Sequence, residues 1–181
     1  MASAATARLV KALLARKQTV AIAETSAGGL IAAELLAQPG ASKFFRGSAV
    51  CYTKDAKQEL LRIDQLQSKP TSTEPHAIEL ASAAREILGA DWGVGETGVA
   101  GPAPNSRGIA PGVSALSVVG PEGIVKRRTL FPDDTLGAAD AYGQAPKVGR
   151  SDNMAAFRDA ALELLADAVE SAPEPPPASK L

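Results

Sequence analysis

"TVAIAETSAGGLIAAELL", Thr19 to Leu36, joins three different patterns in eighteen residues. Thr19 to Ala23 is a short apolar run suited to a buried strand. Glu24 to Gly29 is small and polar and ends in two glycines. From about Gly29 to Ala37 the apolar residues fall at helical spacing, and Pro39-Gly40 stops the run. A strand that passes through such a loop into a helix start is the unit from which α/β sheets are built. The loop has three readings. Thr25 or Ser26 is a nucleophile, or the loop cradles an anion on the free amides of the first helical turn, or the hydroxyls only cap the helix. Taken alone, a hydroxyl before a helix reads as a cap.

The same alternation continues outward. Upstream, Leu9, Val10, Leu13 and Leu14 mark a first helix; the alternative for this basic, Ala-rich start is a transit peptide. Downstream come a strand in "KFFRGSAVCYT", a short helix in "KDAKQELLRI" with Leu60, Leu61 and Ile63 on its apolar side, and a helix in "STEPHAIELASAAREILG". There Thr73 suits the N-cap, Glu74 and Pro75 the first turn, and Gly89 the C-terminal stop. "DWGVGETGVAGP" reads as a strand breaking into a loop, whose glycines 93, 95, 98 and 101 wrap a ligand or make a tight turn. "GVSALSVVG" and "GIVKRRTLFP" are hairpin-linked strands, which predicts an antiparallel edge. Asp133 to Gly149 is a long Gly/Ala/Asp/Pro-rich loop, and a final helix starts at "SDNMAAF". The expected fold is a single three-layer α/β/α domain over residues 1–170, with a mixed sheet and helices on both faces.

Bulk properties narrow the function. The chain has 181 residues, 45% of them hydrophobic, and a net charge of -1. That size supports one domain, and that charge gives nucleic acid or an acidic membrane nothing to attract it. No segment approaches the roughly 18 apolar residues of a membrane span. One cysteine and one histidine exclude a disulfide framework, a CxxC-type zinc site and a His-rich metal centre. Residues 171–181 form a Pro-rich tail ending in Ser179-Lys180-Leu181. That tripeptide reads as a peroxisomal address bound by an import receptor, and as a sign of a eukaryotic source; cytoplasmic residence is the alternative.

Other residues carry chemistry more weakly. Lys57 serves as a base only if its ammonium is disfavoured, and Tyr52 relays a proton; read singly, they are a surface lysine and a strand-end tyrosine. Alternation puts Cys51 opposite Tyr52, in the core. His76, three residues into its helix, reads as solvated. Lys126, Arg127 and Arg128 read as an exposed strand edge, and Arg150 as solvated or facing a phosphate.

Together these segments resemble the C-terminal domain of the CinA family, the nicotinamide-nucleotide amidohydrolases. "TVAIAETSAGGLIAAELL" is similar to the family's A-E-S-C-T-G-G segment. "PGASKFFRGSAVCYTKDAKQELLRI" is similar to its P-G-(A/S)-S-x-x-F-x-G-x-x-x-Y-(S/T)-x-x-x-K segment, "STEPHAIELA" to S-E-P-x-x-x-E-M-A, and "GETGVAGP" to T-G-I-A-G-P. The resemblance implies one α/β domain that hydrolyses the carboxamide of nicotinamide mononucleotide or a related small amide to the acid and ammonia. It implies no cofactor, and a homo-oligomer. It puts Thr25 in the nucleophile position, with Ser26 as fallback, Tyr52 and Lys57 as proton carriers, and oxyanion donors near Gly28 and Gly29. Thr97, Gly98, Ala100, Gly101, Pro102 and Arg150 fall on substrate-binding positions. This chain has Thr25 for the family's serine, Ala27 for its loop threonine, "PGVS" (111–114) for P-V-G-T and Met154 for a second arginine, and its 133–149 loop looks inserted. Those departures leave room for a homologue that binds without hydrolysing, or for an enzyme of specialised peroxisomal metabolism with a new substrate.

Overall fold

The computed structural model describes residues 3–135 and 148–174. Five strands form one sheet in the order β2-β1-β3-β4-β5. They are β1 (Val20–Glu24), β2 (Phe45–Val50), β3 (Trp92–Gly98), β4 (Ser114–Val119) and β5 (Val125–Leu130). The helices are α1 (Ala4–Arg16), α2 (Leu30–Leu36), α3 (Lys54–Leu61), α4 (Glu74–Leu88), the short α5 (Pro132–Thr135) and α6 (Arg150–Ser171). β1 runs parallel to β2 and to β3, while β4 and β5 are antiparallel additions, as the hairpin reading predicts.

Alternation along β1 sorts the core. Val20 and Ile22 face a cluster built with Leu9 and Leu13 of α1, Ile31 and Leu35 of α2, and Phe157 and Leu165 of α6. Ala21 and Ala23 face the other way, against Leu61 of α3 and Leu80 and Ala84 of α4. Helices therefore cover both faces, as expected. The α4 face is made of small residues because α4 lies directly on the sheet. A Cβ on Gly93 or Gly95 would sit 2.0 Å from the carbonyl oxygen of Ala81 or Ala77. This corrects the reading of glycines 93, 95 and 98 as a ligand-wrapping loop. They belong to β3, and the first two admit a helix backbone.

Two smaller expectations change. Leu60 points to solvent, while Leu61 and Ile63 enter the core, and Leu14 of α1 is exposed. The Lys126–Arg128 run is exposed on the edge strand β5, where Arg127 pairs with Glu74 and Arg128 with Glu163. Among the described residues no helix is long and apolar enough to cross a membrane. Most of the 133–149 loop and the Ser179-Lys180-Leu181 tripeptide lie outside the described residues.

The connections fix where a site can form. β1 leaves toward α2 on one face, and its neighbour β2 leaves toward α3 on the other. Between two such strands a crevice opens at their C-terminal ends. Thr25 and Ser26 follow β1 there, and Tyr52 follows β2.

Candidate functional site

The 25–29 loop is shaped by two carboxylates, both completely buried. Glu96, in β3, accepts the backbone N–H of Thr25 at 3.0 Å and of Ala27 at 2.9 Å. The same carboxylate accepts the Ser26 hydroxyl, in a very short bond, and the Ser114 hydroxyl at 2.9 Å. Glu24, the last residue of β1, turns back over the start of α2. It accepts N–H groups from Gly29 at 2.9 Å, Ile31 at 3.1 Å and Ala32 at 2.8 Å. Burial raises the Glu24 carboxyl, backbone donors work against that rise, and the nearby Glu96 adds to it.

These bonds remove one of the three readings of the loop, the helix cap. The α2 N-terminus is capped by Glu24, so neither hydroxyl is needed as a cap. The Ser26 hydroxyl is engaged by Glu96. The Thr25 hydroxyl bonds to no described residue, nor is it a sealed orphan: among the described residues the one buried side-chain polar atom without a partner is Asn153 Oδ1. The amide of Gly29, expected near an oxyanion, is spent on Glu24. The amides of Ser26 and Gly28 donate to no described group and stay available beside Thr25. Gly28 is left-handed at φ +67°, and a Cβ there would meet Met154 at 2.7 Å. The residue standing for the family's second arginine thus packs on the loop glycine.

Lys57 and His76 overturn their solitary readings as surface groups. Lys57 is 6% exposed and His76 is 1% exposed. Lys57 Nζ lies 3.1 Å from His76 Nε2, and His76 Nδ1 lies 2.8 Å from Glu79 Oε2. Burial lowers the Lys57 ammonium, while Cys51, Glu79 and Glu96 pull it back up. Burial and then Lys57 lower His76. Cys51 is in the core as expected, and burial pushes its thiol up to about 11. Lys57 and His76 open on a cavity of about 280 Å³ that Lys54, Lys69 and Arg107 also line, with no acidic side chain among its lining residues.

The remaining candidates have structural partners. Tyr52 is 61% exposed, and its hydroxyl accepts from Arg150 at 3.2 Å. Arg150 also donates to the Gly101 carbonyl at 2.6 Å, and Asn153 donates to the Ala100 carbonyl at 3.0 Å. Thr97 accepts the Ser72 amide at 3.1 Å, and a Cβ on Gly98 would crowd the Val113 carbonyl at 2.6 Å. Gly101 precedes Pro102 through a cis peptide bond. Thr25 follows β1, Tyr52 follows β2 and Lys57 lies in α3, and no hydrogen bond links any two of them: Tyr52 is bonded to Arg150 and Lys57 to His76. Sequence reasoning missed Glu24, Glu96, Glu79 and Asn153. The first two left a faint mark, an acid inside an otherwise small or apolar strand.

Fold and site define an α/β domain with a hydroxyl-bearing loop at the C-terminal edge of its parallel strands. The family model of the CinA C-terminal domain matches residues 2–169. The chain belongs to the CinA family. A CinA-like protein of Prochlorococcus marinus (strain MIT 9515) is 35% identical over 115 residues, 62% of this chain and 27% of that protein. One from Frankia casuarinae is 37% identical over 124 residues, covering 67% and 28%. The chain therefore spans less than a third of these relatives. Among solved structures, a competence-damaged protein (CinA) superfamily protein from Klebsiella pneumoniae superposes with TM-score 0.77 at 22% identity, covering 92% of this chain and 96% of that one. The competence/damage-inducible protein CihA from Agrobacterium tumefaciens gives 0.73 at 25% identity, covering 91% and 93%.

Proposed function

We propose that this protein is an amidohydrolase that cleaves a small carboxamide to the acid and ammonia, with Thr25 as nucleophile. The observation that carries this reading is the Thr25 hydroxyl beside the amides of Ser26 and Gly28, none of which has a hydrogen-bond partner among the described residues. The hydroxyl attacks the amide carbon, and those N–H groups hold the oxygen as it becomes negative. Lys57, whose charged form burial disfavours, supplies the basicity for the hydroxyl proton and returns a proton to the leaving ammonia. Water then cleaves the ester on Thr25. Tyr52, steered by Arg150, and the Thr97–Gly101 segment border the substrate. The cationic cavity next to Lys57 supports a substrate carrying an anion, as nicotinamide mononucleotide does.

The test is ammonia release by the purified protein from nicotinamide mononucleotide and from unphosphorylated carboxamides, with Thr25→Ala and Ser26→Ala alongside. Release that depends on Thr25 is expected. Release indifferent to both hydroxyls, or none with any carboxamide, would remove the mechanism. One observation favours a second reading, binding without turnover: Thr25, Tyr52 and Lys57 are not hydrogen-bonded to one another. Under that reading Thr25→Ser creates activity that the natural protein lacks.

A further inference from the structure

His76 is the chain's one histidine, and the hydrolysis above makes no use of it. It sits sealed between an acid and a base: Nδ1 is 2.8 Å from Glu79 Oε2, and Nε2 is 3.1 Å from Lys57 Nζ. The roles follow from the donor inventory. A carboxylate only accepts, so Nδ1 carries the hydrogen and donates to Glu79. The neutral ring then offers a bare Nε2 lone pair, and Lys57 donates one N–H to it. The Ser68 hydroxyl fastens the far end, donating to the same Glu79 oxygen at 2.9 Å. Two bases in contact where water is scarce cannot cheaply carry two positive charges.

We propose that Lys57, His76 and Glu79 form one unit that holds a single exchangeable proton at the Thr25 edge of the sheet, with His76 and Glu79 as positioning residues for Lys57. This rests on reading Lys57 as the base. In the forward step the lone pair of neutral Nζ takes the hydroxyl proton, and another Nζ hydrogen passes to His76 Nε2. One O–H bond breaks and one N–H bond forms at Nζ, while one N–H bond breaks at Nζ and one forms at Nε2. Lys57 ends neutral, and the charge rests on an imidazolium facing Glu79. The two transfers reverse as ammonia leaves with the proton, so no further reactant is needed.

The surrounding charges suit this arrangement. Glu96 from β3 and Lys54 from the same helix act on Lys57 with opposite signs. Cys51, just after β2, opposes the fall of the Lys57 ammonium, and burial pushes its own thiol up to about 11. Glu24 of β1 acts on Cys51, and Glu74 at the start of α4 is taken up by Arg127 and Thr129 of β5. Lys69 and Arg107 line the same cavity as the pair.

A single histidine makes the test direct. In ¹⁵N-labelled protein, long-range ¹H–¹⁵N correlation follows both ring nitrogens through a pH titration. The native protein is expected to show the Nδ1–H tautomer and a protonation midpoint below the ordinary value of about 6.5. Lys57→Met moves that midpoint up, and Glu79→Gln moves it down. An Nε2–H tautomer in the native protein, or a midpoint that neither variant moves, overturns the proposal. If one variant does not fold, the other decides. In the ammonia assay, Glu79→Gln lowers kcat about tenfold with KM little changed, and the acid limb of the pH profile moves with the NMR midpoint. Coupled midpoints without ammonia release sink the amidase reading alone; ammonia release with an unmoved midpoint sinks the proton unit alone.

Discussion

Glu24 and Glu96 are buried as completely as His76 and slightly more than Lys57, yet the two sets are furnished in opposite ways. Each carboxylate is saturated: Glu24 takes three backbone donors, and Glu96 takes two backbone donors and two hydroxyls. Charges so enclosed fix geometry, because every donor would be stranded if the acceptor left. Among the described residues Lys57 has one hydrogen-bond partner, the His76 ring, and the ring has Lys57 on one nitrogen and Glu79, with Ser68 nearby, on the other. A cation with so little compensation is poised to lose its proton. The same degree of burial comes with many partners at the loop carboxylates and few at Lys57.

That contrast breaks first at Lys57. Lys57→Met should lower ammonia release by about a thousandfold, since a general base contributes on the order of 10² to 10⁴. The same change should not lower stability, because it replaces a buried amine with few partners by an apolar side chain of similar length. A variant that is both inactive and unfolded would show that Lys57 is scaffold after all; urea unfolding alongside the assay decides it. Glu96→Gln should do the reverse at the level of the fold. It keeps the shape but turns an acceptor into an NH₂ facing donors, at a cost of about 3 kcal/mol in the same urea measurement.

Smaller effects sharpen the picture. Lys69→Ala should raise KM about tenfold for a phosphate-bearing amide and leave an uncharged amide unaffected, by loss of one exposed cation. The weakest signal is in stability against pH. His76 is lowered in the fold, so the unfolded chain binds its proton more readily. Stability is then lost as pH falls from the ordinary value near 6.5 toward the depressed folded one. Glu24, raised in the fold, tilts the other way: stability rises as pH falls toward its ordinary value of 4.5. Comparing native protein with His76→Gln isolates the first slope, which the variant should lack.

The fold was largely legible in the sequence because its signals are local. The strand–loop–helix pattern of residues 19–36, the caps at Thr73 and Gly89 and the hairpin after residue 110 each lie within one window. The candidate site was legible where the chain brings it together locally, as at Thr25 and Ser26. It was not legible where partners come from afar. Glu96 reaches residues 25–27 from about seventy positions away, and His76 meets Lys57 from another helix. No periodicity records such pairings. Reading Gly93 and Gly95 as loop failed for the same reason, since their purpose is the helix laid over them.

The distance between Glu96 and the loop it shapes bears on folding. Thr25 to Ala27 cannot adopt their form by themselves; they wait for β3 to bring Glu96 into place and for β4 to bring Ser114. Contacts of that sequence separation form after local ones, once the loop-closure entropy has been overcome. The Thr25 loop is therefore a late acquisition on the folding route. A nascent chain released before residue 96 carries Thr25 but not the acceptor that holds its loop, so fragments from premature termination lack the formed loop.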